Sequence, residues 1–186
     1  MPKIIDEAHE KILGSAKRMM LEKGYGALSL RSVAKECGVA VGTIYNYFDS
    51  KDDLITAIIQ KDWDGTLHKM KKTCQKAEDI REGLLGIYQI IDRFCRVYEN
   101  VWHQYSSLGG AFNVVSERHG LLLKQVSDQI ISLLTRFNYE NDIEIAPLLA
   151  EMLLSSVMRN EIDLHQIDLV IQRLFQSCQF DCSDIK

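Results

Sequence analysis

The chain has 186 residues, 46% hydrophobic and 26% charged, with a net charge of −4, the make-up of an ordinary soluble globular protein. That length buries a core without disulfide or metal staples, and no apolar run approaches the ~20 residues of a membrane span. With only 2 prolines and no stretch alternating at period two, the expected fold class is all-α, with about nine helices.

Residues 5–23 have helical periodicity, with Ile12, Ala16 and Met20 spaced by four, and Gly24-Tyr25-Gly26 ends the run. Ser29 is placed as the N-cap of a short helix with Leu30, Val33 and Ala34 on its inner face. After Gly38 a second short helix is expected from about Val41 to Phe48. Ser50, answered by Asp53, opens a long helix whose stripe is Ile55, Ile59, Trp63 and Leu67. Helical period then persists from Lys72 through Tyr105, and Gly109-Gly110 is the clearest interior break. Three further helices are expected. The first covers about 117–137 and ends at Phe137-Asn138. The next begins near Asn141-Asp142, tolerates Pro147 in its first turn and carries the stripe Ala146, Leu149, Leu153 and Val157. The last opens with an Asp163/Gln166 capping box and has the stripe Leu164, Ile167, Ile171, Leu174 and Cys178.

Two short helices around a glycine-containing turn, buttressed by a longer one, form the helix-turn-helix plan. On the second short helix Ile44 and Phe48 lie four apart and face the core. Gly42, Thr43 and Asn46 then face outward, flanked by Tyr45 and Tyr47. Such a helix reads base edges with its N-terminal outer residues. Gly42 lets the backbone approach, Thr43 offers a hydroxyl, Asn46 matches an adenine edge and Val41 matches a thymine methyl. The hydroxyls of Tyr45 and Tyr47 suit phosphate oxygens, and Lys51 adds a cation beside free helix-start amides. Tyr25, by contrast, is taken as a packing residue. The acidic total does not oppose a DNA reading. Residues 1–48 carry seven Lys and Arg against five Asp and Glu, a net +2, so the excess acid lies in the rest of the chain.

Gly24-Tyr25-Gly26-Ala27-Leu28-Ser29, then Val33 to Val39, then Gly42-Thr43-Ile44-Tyr45-Asn46-Tyr47-Phe48 with Lys51 and Leu54 resembles the DNA-binding head of the TetR (tetracycline-repressor) family, over roughly residues 8–58. The resemblance implies that Ser29, Arg31, Tyr45, Tyr47 and Lys51 hold phosphates of a double-stranded DNA operator and that Thr43 and Asn46 lie next to bases. The chain departs from many relatives at Ala40-Val41, where Ser-Lys or Ser-Arg is common, and at Tyr47, where histidine is frequent. It further implies a head over residues 1–50 and a helical regulatory body over 51–186. That body would form a homodimer through the last two helices (about 143–160 and 163–179) and hold a small-molecule effector. Aromatic residues between about 63 and 123 supply candidate pocket walls, foremost Tyr88, Trp102 and Tyr105.

The expected function is a cytoplasmic transcriptional repressor, with no cofactor and no membrane association. The N-terminus Met-Pro-Lys-Ile-Ile-Asp-Glu is neither a signal nor a transit peptide. A competing reading keeps the fold but makes the chain a DNA-bound structural or partner-binding protein without an inducer. An enzyme is set aside, because no nucleophile elbow, P-loop or metal motif orients Ser106, Ser107 or His103. Cys37, Cys74, Cys95, Cys178 and Cys182 form no CxxC pair, and no histidines stand at zinc-like spacing.

Overall fold

In the computed structural model, eight α-helices follow one another along the described residues: α1 (Pro2–Lys23), α2 (Leu30–Cys37), α3 (Val41–Tyr45), α4 (Lys51–Lys76), α5 (Ile80–Ser107), α6 (Ala111–Arg136), α7 (Ala146–Arg159) and α8 (Leu164–Gln176). Two 3-10 turns, Tyr25–Ala27 and Glu140–Ile145, complete the order, and no strand occurs among the described residues. The structure describes the backbone of residues 2–107, 111–159 and 162–176, and the side chains of 7–101, 104, 119–158 and 162–175. No described helix is long and apolar enough to cross a membrane.

The expected all-α class holds, with eight α-helices where about nine were expected. The break at Gly109-Gly110 and the cysteines at 178 and 182 lie outside the described residues. One boundary escaped the sequence pattern. The period running from Lys72 to Tyr105 is interrupted after Lys76, and Asp79 starts α5 by accepting the Glu82 N–H at 2.7 Å. Glu82 returns the favour one residue upstream, taking the Glu78 N–H at 2.6 Å.

The chain divides into two compact units. One comprises residues 1–65 with 96–115, and the other 66–95 with 116–186. In the first, Ile12, Leu13, Ala16 and Met20 of α1 are buried, as are Leu30, Val33 and Ala34 of α2, Ile44 of α3 and Leu54, Ile55 and Ile58 of α4. Lys17 pairs with Asp62 at 2.5 Å, and the fully buried Tyr98 donates its hydroxyl to the same carboxylate. This carboxylate therefore ties α1, α4 and α5 together. α2 ends in a Schellman turn. Gly38 has φ +69, its N–H reaches Lys35 O, and the Val39 N–H reaches Ala34 O at 3.0 Å. Nothing lies within 4 Å of a Cβ added at Gly38, so Gly38→Ala is expected to cost only the left-handed backbone, about 1–2 kcal/mol. A thermal melt of the variant measures it.

In the second unit α5 packs so closely on its neighbours that a Cβ at Gly83 would meet the Leu133 side chain of α6 at 2.5 Å, and one at Gly86 would overlap Thr73 of α4. α6 ends in a second Schellman turn, with Asn138 at φ 62 in place of glycine and the Tyr139 N–H on Leu134 O at 2.9 Å. The Asp163/Gln166 capping box at the start of α8 is complete, at 2.9 and 2.8 Å. Arg81 of α5 grips Asp168 of α8 bidentately, at 2.6 and 2.7 Å.

The helix expected to begin near residue 141 begins instead at Ala146, after the 3-10 turn, so residues 143–145 are not α-helical. Its expected stripe is the helix's inner face, with Val157 half-buried. Ala146, Leu149 and Leu153 are buried within this chain, while Leu148 on the other face is 70% exposed and Met158 50%. On α8, Ile167 and Ile171 are buried, and Leu164, Leu169, Val170 and Leu174 stand exposed.

Candidate nucleic-acid interface

The head's outer surface follows from how short α3 is. Ala40 gives no side-chain cap, so α3 opens on backbone alone, with the Thr43 N–H on Ala40 O at 2.9 Å. The helix closes after five residues rather than running to Phe48. Asn46 is its C-cap, and the N–H groups of Tyr47 and Phe48 both fold back to Ile44 O, at 2.9 and 3.0 Å. That tightening puts Ile44 and Phe48 into the core, 0% and 3% exposed. It leaves Val41, Gly42, Tyr45 and Asn46 exposed and Thr43 and Tyr47 half-buried. Tyr45 shows 51% of its surface. Tyr47 leans on His9 of α1 with ring centroids 5.9 Å apart, and His9 stacks on Phe48 at 5.3 Å. His9 thus backs the outer face, a contribution that no local pattern around residue 9 announces.

Beside α3 lies an open groove of about 270 Å³ lined by Ser29, Leu30, Arg31, Tyr45, Asp49, Ser50 and Lys51. The starts of α2 and α4 both border it. At the first, Ser29 and Ser32 form a full capping box, each hydroxyl taking the other's backbone N–H at 2.9–3.0 Å. At the second, Ser50 Oγ takes the Asp53 N–H at 3.0 Å. Asp53 answers to the Asp49 N–H at 3.2 Å, one residue upstream of the reciprocal bond expected with Ser50. Helix starts carry partial positive charge and free N–H groups, so the groove suits an anionic oxygen. Arg31 at its edge is exposed.

Lys51 is less free than its sequence position suggests. Its ammonium donates to Tyr25 O at 2.6 Å and sits 3.4 Å from the centroid of the Tyr25 ring. Burial lowers its pKa, against an opposing pull from Asp52. Tyr25 is itself buried, in keeping with a packing role. Its hydroxyl donates to Asp52 Oδ1 at 3.2 Å, and its N–H to Gln104 Oε1 at 2.8 Å. Gln104 and Lys51 stand 79 and 26 residues from Tyr25, separations that a local sequence window does not span.

Of the expected effector-binding residues, Tyr88 is buried in the second unit. The side chains of Trp102 and Tyr105 lie outside the described residues. Burial pushes the thiols of Cys74 and Cys95 up to about 11, which keeps both protonated and unreactive near neutral pH. Among the described residues no group of three His, Cys, Asp or Glu is placed to hold a metal ion.

A family model described as bacterial regulatory proteins, tetR family, matches residues 12–58, a span that contains α2, α3 and the start of α4. Over that stretch the chain is similar to the tetR family's head. Among curated proteins, the HTH-type transcriptional regulator YvdT of Bacillus subtilis is 39% identical over 79 residues, 42% of this chain and 41% of that protein. UidR of Escherichia coli is 34% identical over 62 residues, 33% and 32% of the two chains. The matched stretch thus spans about two-fifths or less of these relatives. Likeness in fold extends further. A TetR-family transcriptional regulator from Pectobacterium atrosepticum superposes with a TM-score of 0.68 at 18% identity, covering 95% of this chain and 96% of that one. The reduced form of NemR from Escherichia coli gives 0.59 at 16% identity, covering 91% and 96%. At such identities the likeness speaks for the all-helical fold.

Proposed function

We propose that the chain is a TetR-type transcriptional regulator, not an enzyme, that binds a palindromic operator as a homodimer in the cytoplasm and represses until a small molecule binds its body. The observation that carries the reading is the exposed row Val41, Gly42, Tyr45 and Asn46 beside the groove of Ser29, Arg31 and Lys51, with Ile44 and Phe48 buried behind it. Residues 1–50 act as the head and 51–186 as the body. In the head, Ser29, Arg31, Tyr45 and Tyr47 serve phosphates, while Val41, Gly42, Thr43 and Asn46 meet base edges. Dimerisation is assigned to the exposed apolar rows of α7 and α8, which would pair with the same rows of a second copy as a four-helix bundle. Two heads then address half-sites about one helical turn (~34–36 Å) apart. Release by an effector requires that it bind the non-DNA-bound state more tightly.

The test is selection of a preferred duplex from a random-sequence pool by the purified chain, followed by anisotropy titrations of variants. Asn46→Ala is expected to lose about 1–3 kcal/mol at one operator position and to relax preference there. Arg31→Ala should instead weaken binding to every sequence, with a salt slope shallower by about 0.9. Selection of no duplex at all, or wild-type binding by both variants, would sink the assignment.

A further inference from the structure

Tyr25 does not line the groove, yet it meets three residues of the first unit at once, on α4 and α5. Its carbonyl and ring face hold the Lys51 ammonium, at 2.6 Å and 3.4 Å. Its hydroxyl holds Asp52, the next residue of α4. Its backbone N–H is held by Gln104 near the end of α5. The approach of Gln104 is built into the turn. Gly24, at φ +81, has no side chain, and a Cβ there would come within 3.0 Å of Gln104 Oε1. We propose that Tyr25 is a positioning residue of the DNA-binding head: it fixes Lys51 as an internal strut at the edge of the groove, and it takes its own place from Gln104, so that α5 sets the groove's geometry.

This rests on the DNA-binding reading above and assigns Lys51 a role different from the phosphate contact expected of it. A lysine paired to phosphate releases condensed counterions, which makes its loss visible as a shallower salt dependence. A lysine whose charge is spent on a carbonyl and a ring face inside the head does not. Its loss lets the start of α4 shift relative to α2, and binding weakens without a change in salt slope. Residues 80–95 of α5 belong to the second compact unit, so the helix that holds Gln104 begins in that unit.

The experiment uses the full chain and the duplex that the wild type itself selects. Lys51→Met, which keeps most of the aliphatic stem, and Tyr25→Leu are each expected to weaken binding about tenfold at an unchanged salt slope. Combined, they should lose less than the product of the two separate losses, because the contact between the Lys51 ammonium and the Tyr25 ring is removed by either one. Gln104→Ala should act in the same direction by a smaller factor. Tyr25→Phe, which keeps the ring under Lys51 and loses only the tie to Asp52, should lose less than Tyr25→Leu. A slope shallower by about 0.9 for Lys51→Met would overturn the proposal, and so would a double variant about a hundredfold weaker. Circular dichroism shows whether Tyr25→Leu folds. Where it does not, the comparison is made with Lys51→Met and Gln104→Ala, for which multiplicative losses overturn the coupling. Failure of the wild type to select any duplex overturns the DNA-binding reading itself, and this is seen before any variant is made.

Discussion

The chain carrying Leu148→Glu and Leu174→Glu together is expected to sediment as a monomer under conditions where the wild type is a dimer. Both side chains are open in the single chain, 70% and 45% exposed, on the apolar rows assigned to the partner. The monomer's own core is made elsewhere on the same helices, by Leu149, Ala150 and Leu153 of α7 and Ile167 and Ile171 of α8. The substitutions therefore spare the fold. In a two-fold interface each leucine occurs twice, and burying one stabilises by about 1.5–3 kcal/mol. Even the low end sums to about 6 kcal/mol, roughly a 10⁴-fold weaker dimer. Sedimentation velocity decides the matter. A variant that stays dimeric would move the interface away from these rows, and a wild type that is monomeric would remove it.

Phe48→Ala is expected to lose about 3–5 kcal/mol of stability and, with it, operator binding. The ring is 3% exposed, stacks on His9 at 5.3 Å and closes the turn after α3 through its N–H on Ile44 O. Removing it leaves a cavity under the residues that would read DNA. For a chain of this length such a loss lowers the melting temperature by roughly 6–20 °C. A melt within a degree or two of wild type would show that the head closes over the gap, and would weaken the case for Phe48 as the support of α3.

The sequence made the head legible because its information is local. Ser29, Gly38, Ile44 and Phe48 each act within a turn or two of their own position, and the structure places them as caps, turn and core. Where the expectation slipped, the deciding interaction was either subtle or distant. The break at Asp79 was hidden because hydrophobic period continues across it, although the Asp79-x-x-Glu82 pattern is a capping signature in retrospect. α3 stops at Tyr45 because of backbone tightening onto Ile44 O, which periodicity does not register. On α7, amphipathicity marked the buried stripe correctly but gave no hint that a second apolar row, with Leu148, lies on the opposite face. The ties of Lys51 and Gln104 to Tyr25 depend on tertiary approach. The comparisons strengthen the head over residues 12–58 and, beyond it, the fold.

The brevity of α3 sets a limit on how much sequence information one head can extract. A helix of five residues presents side chains to about three or four base pairs, and a dimer doubles that to about seven. Singling out one site among ~10⁶ or more genomic competitors requires discrimination equivalent to about ten fully specified base pairs. On the proposed dimeric reading, the shortfall is met by positions that no side chain touches. Sequence-dependent groove width and bendability between the half-sites would then be read through the phosphates held by the two grooves. On the proposed function, the duplex that the chain selects should accordingly show constraint in its central, uncontacted base pairs as well as beneath α3.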